Sequence, residues 1–171
     1  LELLLWVRTR WASLYKCLDR VLELRMAIDQ FVRNADASVE VPELRNKQYI
    51  GYKLSYSEWD KIVIIHEALR EPANVTQTFS RERTPTVWRI IPTLEFLIKR
   101  WETMSTQPRY DEIKEALSAG VESLKKWFHR AETSSDAYFI CLVLDPNIKD
   151  VYFKSRWSKE QYKKGIKGLE K

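Results

Sequence analysis

The chain has 171 residues, of which 44% are hydrophobic, and it includes seven Trp, eight Tyr and six Phe. A chain of this length can bury roughly 70% of its unfolded surface, so we expect a single helical domain over residues 1–171. Four Gly and six Pro are too few for a β-sandwich or barrel with many tight turns. We predict an all-α fold, a bundle of about six to seven helices.

The net charge of +5 is concentrated at the C-terminal end. Residues 149–171 contain eight Lys or Arg and three Asp or Glu, whereas residues 1–148 contain 21 of each sign. A positive surface suits a nucleic-acid backbone, and a Lys-rich helix with a merely solvated face is the alternative. The longest apolar run, residues 137–144, is far shorter than the ~18 residues of a membrane span, so no membrane partner is expected.

The first third of the chain predicts one long helix and one long loop. Residues 1–7 are predicted to form an apolar strand or the end of a truncated element. A helix should then cover residues 9–34, because apolar residues recur three or four apart at Trp11, Leu14, Tyr15, Leu18, Val21, Leu22, Ile28, Phe31 and Val32. Residues 35–51 lack that period and form the longest predicted loop, which we expect to be mobile. Leu1 is not a start methionine, so we expect a piece of a longer protein.

Capping residues and prolines divide the middle of the chain. Ser55 and Glu58 form a capping box that should begin the second helix, and Pro72 should break or kink that helix. Thr84 followed by Pro85 predicts the start of a third helix, which should run to about residue 104. Pro92 lies inside it, and we expect a bend there.

The last third carries further helix signals. A fourth helix over residues 110–128 has heptad-like apolar spacing, and Gly120 inside it indicates close approach by a neighbour, since glycine there costs about 1 kcal/mol against alanine. Residues 137–144 are apolar on all sides, so their period does not separate a strand from a helix. Asp145 with Pro146 predicts a helix start, and Ser158 with Gln161 a capping box for the last helix.

No residues assemble a recognisable catalytic or metal site. His66 and His129 lack metal-ligand spacing to a cysteine or to each other, and Cys17 and Cys141 are so far apart that two buried thiols are favoured over a disulfide. The sequence has no Gly-rich phosphate loop, nucleophile elbow or zinc-protease helix motif. We therefore assign no catalytic residue, metal ligand, cofactor or small-molecule substrate here. Asp145, beside the apolar run, is the acidic residue of most interest, with helix capping as its alternative role.

Cations adjoin tryptophans at five places: Arg10–Trp11, Trp88–Arg89, Arg100–Trp101, Lys126–Trp127 and Arg156–Trp157. An indole can stack on an unpaired base while its neighbour holds a phosphate, which is worth ~1–3 kcal/mol per base. The alternative is a core role, which we expect for Trp59, Trp88, Trp101 and Trp127. For Trp11, which opens its helix, both roles stay open.

Short motifs follow one another along nearly the whole chain: Thr9-Arg10-Trp11-Ala12-Ser13, Glu58-Trp59, Ala68-Leu69-Arg70-Glu71-Pro72, Ile91-Pro92, Leu124-Lys125-Lys126-Trp127 and Leu144-Asp145-Pro146-Asn147-Ile148-Lys149. In order and spacing they resemble the TRWNS, E-W with L-x-P-F, V-L-P, K-Y-W and L-D-P-R-x-K motifs of hAT-superfamily transposases. Ala12 stands where that family usually has Asn, Trp6 where relatives often have Asp, and Asn147 where Arg is common.

The resemblance implies a helical insertion of an RNase H-like transposase, whose three catalytic acids would lie outside residues 1–171. The parent protein would use Mg²⁺ and act in the nucleus. Carried onto this chain, the family's Arg-Trp pair implies DNA contacts by Arg10 and Trp11. From charge alone we add weaker, sequence-independent phosphate contacts by Lys159, Lys163, Lys164 and Lys167. The expected partner is DNA, with homo-oligomerisation possible. The alternative is a domesticated, non-catalytic scaffold for protein interaction or dimerisation.

Overall fold

A computed structural model of the chain describes residues 2–7, 11–79, 87–134, 137–146, 148 and 151–169. All regular structure within these ranges is helical, and no strand occurs in them, which confirms the all-α prediction. Eight α-helices are described, against the six to seven expected: α1 (Trp11–Glu23), α2 (Arg25–Asn34), α3 (Tyr56–Phe79), α4 (Ile90–Ser105), α5 (Lys114–Ser134), α6 (Ala137–Val143), α7 (Val151–Arg156) and α8 (Lys159–Leu169). Four 3₁₀ turns lie at Ala35–Ala37, Tyr49–Tyr52, Val87–Arg89 and Pro108–Ile113.

The contacts of the chain cluster into two compact units, Leu1–Ala73 and Asn74–Lys171. The expectation of one domain over residues 1–171 stays a prediction.

In the first unit, the predicted first helix is two helices that meet at Leu24. The backbone of Leu24 leaves helical geometry (φ −92°, ψ 7°), which the apolar period did not indicate. Hydrogen bonding nevertheless continues, because the Leu24 N–H donates to the Arg20 carbonyl at 3.1 Å and the Ile28 N–H to the Leu24 carbonyl at 2.9 Å. The predicted end near Asn34 is confirmed. Residues 2–7 form no strand, and Val7 is tied to the Ser13 hydroxyl through its backbone.

The long loop after α2 is held by one carboxylate. Asp36 accepts hydrogen bonds from the backbone N–H of Tyr49 at 2.7 Å and of Ile50 at 2.9 Å. The Tyr49 ring also meets the Phe31 ring edge to face at 5.5 Å, and its hydroxyl donates to the Pro42 carbonyl. The loop is thereby closed into a turn of its own across the end of α2.

Helix α3 begins as the sequence predicts. The Ser55 N–H donates to Glu58 Oε2 at 2.8 Å and the Glu58 N–H donates to Ser55 Oγ at 3.3 Å, which is a complete capping box. The Ser55 N–H and the Ser55 hydroxyl both donate to Glu58 Oε2 at 2.8 Å, and these two bonds hold the pKa of the Glu58 carboxyl below its ordinary value. Trp59, in the first turn, is 1% exposed.

Of the break or kink expected at Pro72, the break does not occur, since α3 continues as one α-helix to Phe79. Pro72 removes one backbone donor, but its ring is among the most fully buried side chains of the protein. We infer that burial of the ring outweighs the missing hydrogen bond.

In the second unit, α4 and α5 pack along each other. The buried side chains are Ile91, Leu97 and Met104 of α4, Leu117 and Val121 of α5, and Tyr110 of the preceding 3₁₀ turn. A Cβ on Gly120 would overlap the Trp101 ring, so the close approach predicted at this glycine is confirmed. Lys125 adds an ion pair to Glu102 at 2.6 Å.

The predicted third helix begins later than expected. Residues 84–86 lie outside the described part of the chain, and a 3₁₀ turn at Val87–Arg89 precedes α4. Pro92 therefore falls in the first turn of α4, where backbone N–H groups have no intrahelical partner. It interrupts no hydrogen bond of α4 at this position, and the bend expected there stays a prediction.

Residues 137–143 form a helix, which decides the alternative that the sequence left open. The prediction that Asp145 and Pro146 start the next helix is wrong, because both residues belong to a turn. The Asp145 N–H donates to the Leu142 carbonyl, and the Ile148 N–H donates to the Asp145 carbonyl. Helix α7 is described from Val151 onward. The predicted start of the last helix just after Ser158 is confirmed.

Candidate nucleic-acid interface

An aromatic cluster in the second unit positions the basic C-terminal helix. Phe139 and Leu142 of α6 and Phe153 of α7 are buried, and the Phe153 ring lies 4.4 Å from both the Phe139 and the Trp157 rings. The partly buried side chains packed around them are Trp88, Val143, Ile148, Tyr152, Trp157, Tyr162, Ile166 and Leu169. The apolar face of α8 is thereby fixed onto α6 and α7.

Gly165 lets α8 lie close to α6. A Cβ at this position would come within 2.5 Å of the Phe139 ring, a separation that real Cβ atoms do not adopt. The ring itself is clamped, because it also contacts Phe153, Trp157 and Tyr162. The rotation of α8 about its axis is therefore set by packing.

This packing turns the four predicted lysines outward. Lys159, Lys163, Lys164 and Lys167 are all exposed. Three of them, Lys159, Lys163 and Lys167, follow one another at intervals of four residues and form a row along one side of the helix. Glu160 is the one acidic residue within Lys159–Leu169. Such a row can bind successive phosphates of a nucleic acid without reading its bases.

A groove of about 480 Å³ lies between α4 and α7 of the same unit. Its lining combines cations, an exposed aromatic ring and one carboxylate: Pro92, Glu95, Phe96, Lys99, Arg100, Thr103, Tyr152 and Arg156. The Tyr152 hydroxyl donates a hydrogen bond to Glu95 Oε2, which joins the two helices. Burial, together with the adjacent Glu95 carboxylate, raises the pKa of the Tyr152 hydroxyl well above its ordinary value.

The groove was not foreseen from the sequence. Phe96, Lys99 and Thr103 recur at helical spacing on α4, but the apolar period of the sequence indicates only the buried face of that helix. The sequence shows Arg156 as a neighbour of Trp157. It does not show that Arg156 lines the same groove as Lys99, because nothing local in the sequence indicates that α7 packs on α4.

The Arg-Trp pair predicted to contact DNA is only partly visible. Arg10 lies outside the described residues. Trp11 is the first residue of α1, and its side chain also lies outside the description. The DNA contacts of both residues stay predictions.

The other tryptophans divide between core and surface. Trp59 is buried as expected, with the Arg25 guanidinium 5.0 Å from the centre of its ring system. Trp88 and Trp101 are partly buried. The core prediction for Trp127 is wrong, since it is 57% exposed, and the Arg130 guanidinium lies 5.4 Å from the centre of its ring. The heptad-like spacing misled here because α5 has one packed face and Trp127 is not on it.

Histidine and cysteine chemistry remains unremarkable among the described residues. His66 Nε2 lies 2.9 Å from Asp19 Oδ1, and its ring stacks on Tyr15 with 4.7 Å between centroids. Both cysteines are free thiols, and they are partly buried. In the described ranges no group of three or more His, Cys, Asp or Glu side chains is placed to hold a metal ion.

Searches against protein-family models, curated proteins and solved structures found no match to this chain. The likeness to hAT-superfamily transposases therefore depends on the motifs given above. Among the described helices, none combines the length and apolar character needed to cross a membrane.

Proposed function

We propose that this chain is the DNA-binding helical region of an hAT-like transposase, which positions transposon-end DNA for a catalytic site formed by other parts of the parent protein. The observation that carries the proposal is the lysine row of α8, which packing on the aromatic cluster turns to solvent. In this proposal the parent protein supplies the acidic residues and Mg²⁺, and it acts in the nucleus.

Two kinds of DNA contact belong to the proposal. Lys159, Lys163, Lys164 and Lys167 hold phosphates, and each released counterion makes affinity depend on salt. Arg10 and Trp11 act at the DNA flank, the indole stacking on an exposed base.

The test replaces all four α8 lysines by glutamine and measures DNA affinity by fluorescence anisotropy at low salt. We expect at least a tenfold loss, because the main phosphate contacts are removed. The matched control replaces Lys16, Lys53, Lys114 and Lys126, four exposed lysines elsewhere, by glutamine. Both variants lose four positive charges, so an equal loss of affinity in both would overturn the proposal that α8 is the binding face.

A protein-interaction or dimerisation scaffold is the second candidate function. It is favoured by large apolar side chains that are exposed in the first unit: Leu5 is 92% exposed, Met26 86% and Trp6 50%. A scaffold of this kind binds through apolar contacts, so its affinity would change little with salt. Oligomeric state measured by light scattering, with and without DNA, separates this role from the first.

A further inference from the structure

The groove between α4 and α7 presents one continuous face from each helix. Phe96, Lys99 and Thr103 follow one another along α4 at intervals of three and four residues. Tyr152 and Arg156 are one turn apart on α7. The hydrogen bond from the Tyr152 hydroxyl to Glu95 holds the two faces together. The groove is therefore built from helices, and its lining does not depend on a loop.

The charge of the groove is positive. Three cations line the groove: Lys99, Arg100 and Arg156. Its one carboxylate belongs to Glu95, which already accepts a hydrogen bond from the Tyr152 hydroxyl. Lys99 and Arg156 are exposed, and neither forms an ion pair with any of the described residues. Two cations are thus left to pair with an external anion.

An exposed aromatic ring lines the same groove as these cations. Phe96 is 54% exposed although the rest of its helix buries large apolar side chains such as Leu97 and Met104. A solvent-facing aromatic ring in a groove that cations also line provides the contacts that bind a single strand, in which a base stacks on the ring and the adjoining phosphates meet the cations. A volume of about 480 Å³ lies within the ~300–1,000 Å³ of ligand pockets. That space accepts a nucleotide of a single strand and is too small for a duplex.

We propose that this groove binds single-stranded DNA, with a base stacked on Phe96 and phosphates held by Lys99 and Arg156. The inference deepens the proposed function and rests on it for the identity of the partner. Arg156 is the last residue of α7, and Lys159 begins α8 shortly after it. A duplex on the α8 lysine row would therefore lie close enough to pass an unpaired strand into the groove.

The experiment compares two labelled DNAs by fluorescence anisotropy with the full chain: a blunt duplex and the same duplex with a single-stranded thymidine overhang. We expect roughly tenfold tighter binding of the overhang DNA, because stacking is worth ~1–3 kcal/mol per base. Phe96→Ala and Arg156→Gln should each remove most of this preference and leave blunt-duplex affinity within twofold. Phe96→Trp should keep the preference, since an indole also stacks.

Matched controls separate stacking from general charge and from misfolding. Lys126→Gln removes an exposed cation on α5, outside the groove, and should leave the overhang preference unchanged. Thermal unfolding should be unchanged in Phe96→Ala, because the ring is mostly solvent-exposed. The α8 quadruple variant should lose affinity for both DNAs by a similar factor.

Each contrary result is distinguishable. Equal binding of both DNAs by the unaltered chain overturns the groove inference and leaves the α8 proposal standing. If the unaltered chain does not bind the blunt duplex but binds oligothymidylate through Phe96, the α8 proposal is overturned and the groove is supported. Absence of binding to either DNA overturns both. Displacement of oligothymidylate by polyglutamate at equal charge concentration overturns the stacking role and indicates an acidic peptide as the partner.

Discussion

Gly165 illustrates how one residue sets the orientation of the candidate interface. The ring that a new Cβ would meet belongs to Phe139, which is 4% exposed and surrounded by three other aromatic rings. Such a ring cannot move aside without disturbing the cluster. Any side chain at this position must therefore displace α8 or strain the core.

We predict that Gly165→Ala lowers the free energy of unfolding by about 1–2 kcal/mol, because overpacking costs ~1–3 kcal/mol and the gain in helix propensity returns at most ~1. Chemical denaturation monitored by tryptophan fluorescence measures the change. The control is Gly51→Ala, where a Cβ would meet no atom within 4 Å and stability should be nearly unchanged. A Gly165→Ala variant as stable as the parent would contradict the close packing of α8 on α6.

At the scale of elements, α7 is a helix of only six residues, and it depends on tertiary contacts. Phe153 buries one side of it, and the Tyr152 hydroxyl bonds to Glu95 on α4. The raised pKa of Tyr152 means that the folded state holds this proton more tightly than the unfolded chain does. The contact is fully stabilising below the ordinary tyrosine pKa near 10, and its contribution falls as pH rises above that value.

We predict that Tyr152→Phe lowers stability by about 1 kcal/mol at neutral pH, which is the usual net worth of one hydrogen bond. Between about pH 9 and pH 11 the variant should lose less stability than the unaltered chain, because residue 152 then has no hydroxyl that ionises on unfolding. Denaturation curves across this range provide the measurement. Tyr56→Phe, at a residue that is 85% exposed, is the control and should follow the parent. An identical pH slope in Tyr152→Phe would remove the role assigned to this bond.

Signals that act within one turn of helix could be predicted from the sequence. The starts of α3 and α8 follow from capping residues, Ser55 and Ser158, whose partners lie within four positions in the chain. Gly120 was identified because a glycine inside a helix needs a neighbour to explain it. Errors occurred where distant packing decides. Pro72 lies inside the continuous helix α3, where its ring is buried. Asp145 lies in a turn, whereas its place before Pro146 predicts a helix cap.

For the whole molecule, the charge distribution could be predicted and the groove could not. A count along the chain is enough to locate the excess of lysine and arginine in residues 149–171. The groove requires Phe96 and Arg156 to line one cavity, and these residues belong to helices that α5 and α6 separate in the chain. Sequence patterns report the faces of single helices, and they do not report which faces are paired.

The location of the charge, more than its total, should govern DNA binding by the whole protein. If the α8 row makes the phosphate contacts, the logarithm of affinity should fall linearly with the logarithm of salt concentration, with a slope of about −0.9 for each phosphate neutralised. Replacing Lys159, Lys163, Lys164 and Lys167 by glutamine should flatten that slope by up to roughly 3–4. Replacing Lys16, Lys53, Lys114 and Lys126 should leave the slope close to that of the unaltered chain, although the net charge of +5 falls by four in both variants. Anisotropy titrations from low to physiological salt measure all three slopes. Equal flattening of the slope in both variants would show that net charge alone draws DNA to the protein. An affinity of the unaltered chain that does not depend on salt would favour the scaffold role over DNA binding.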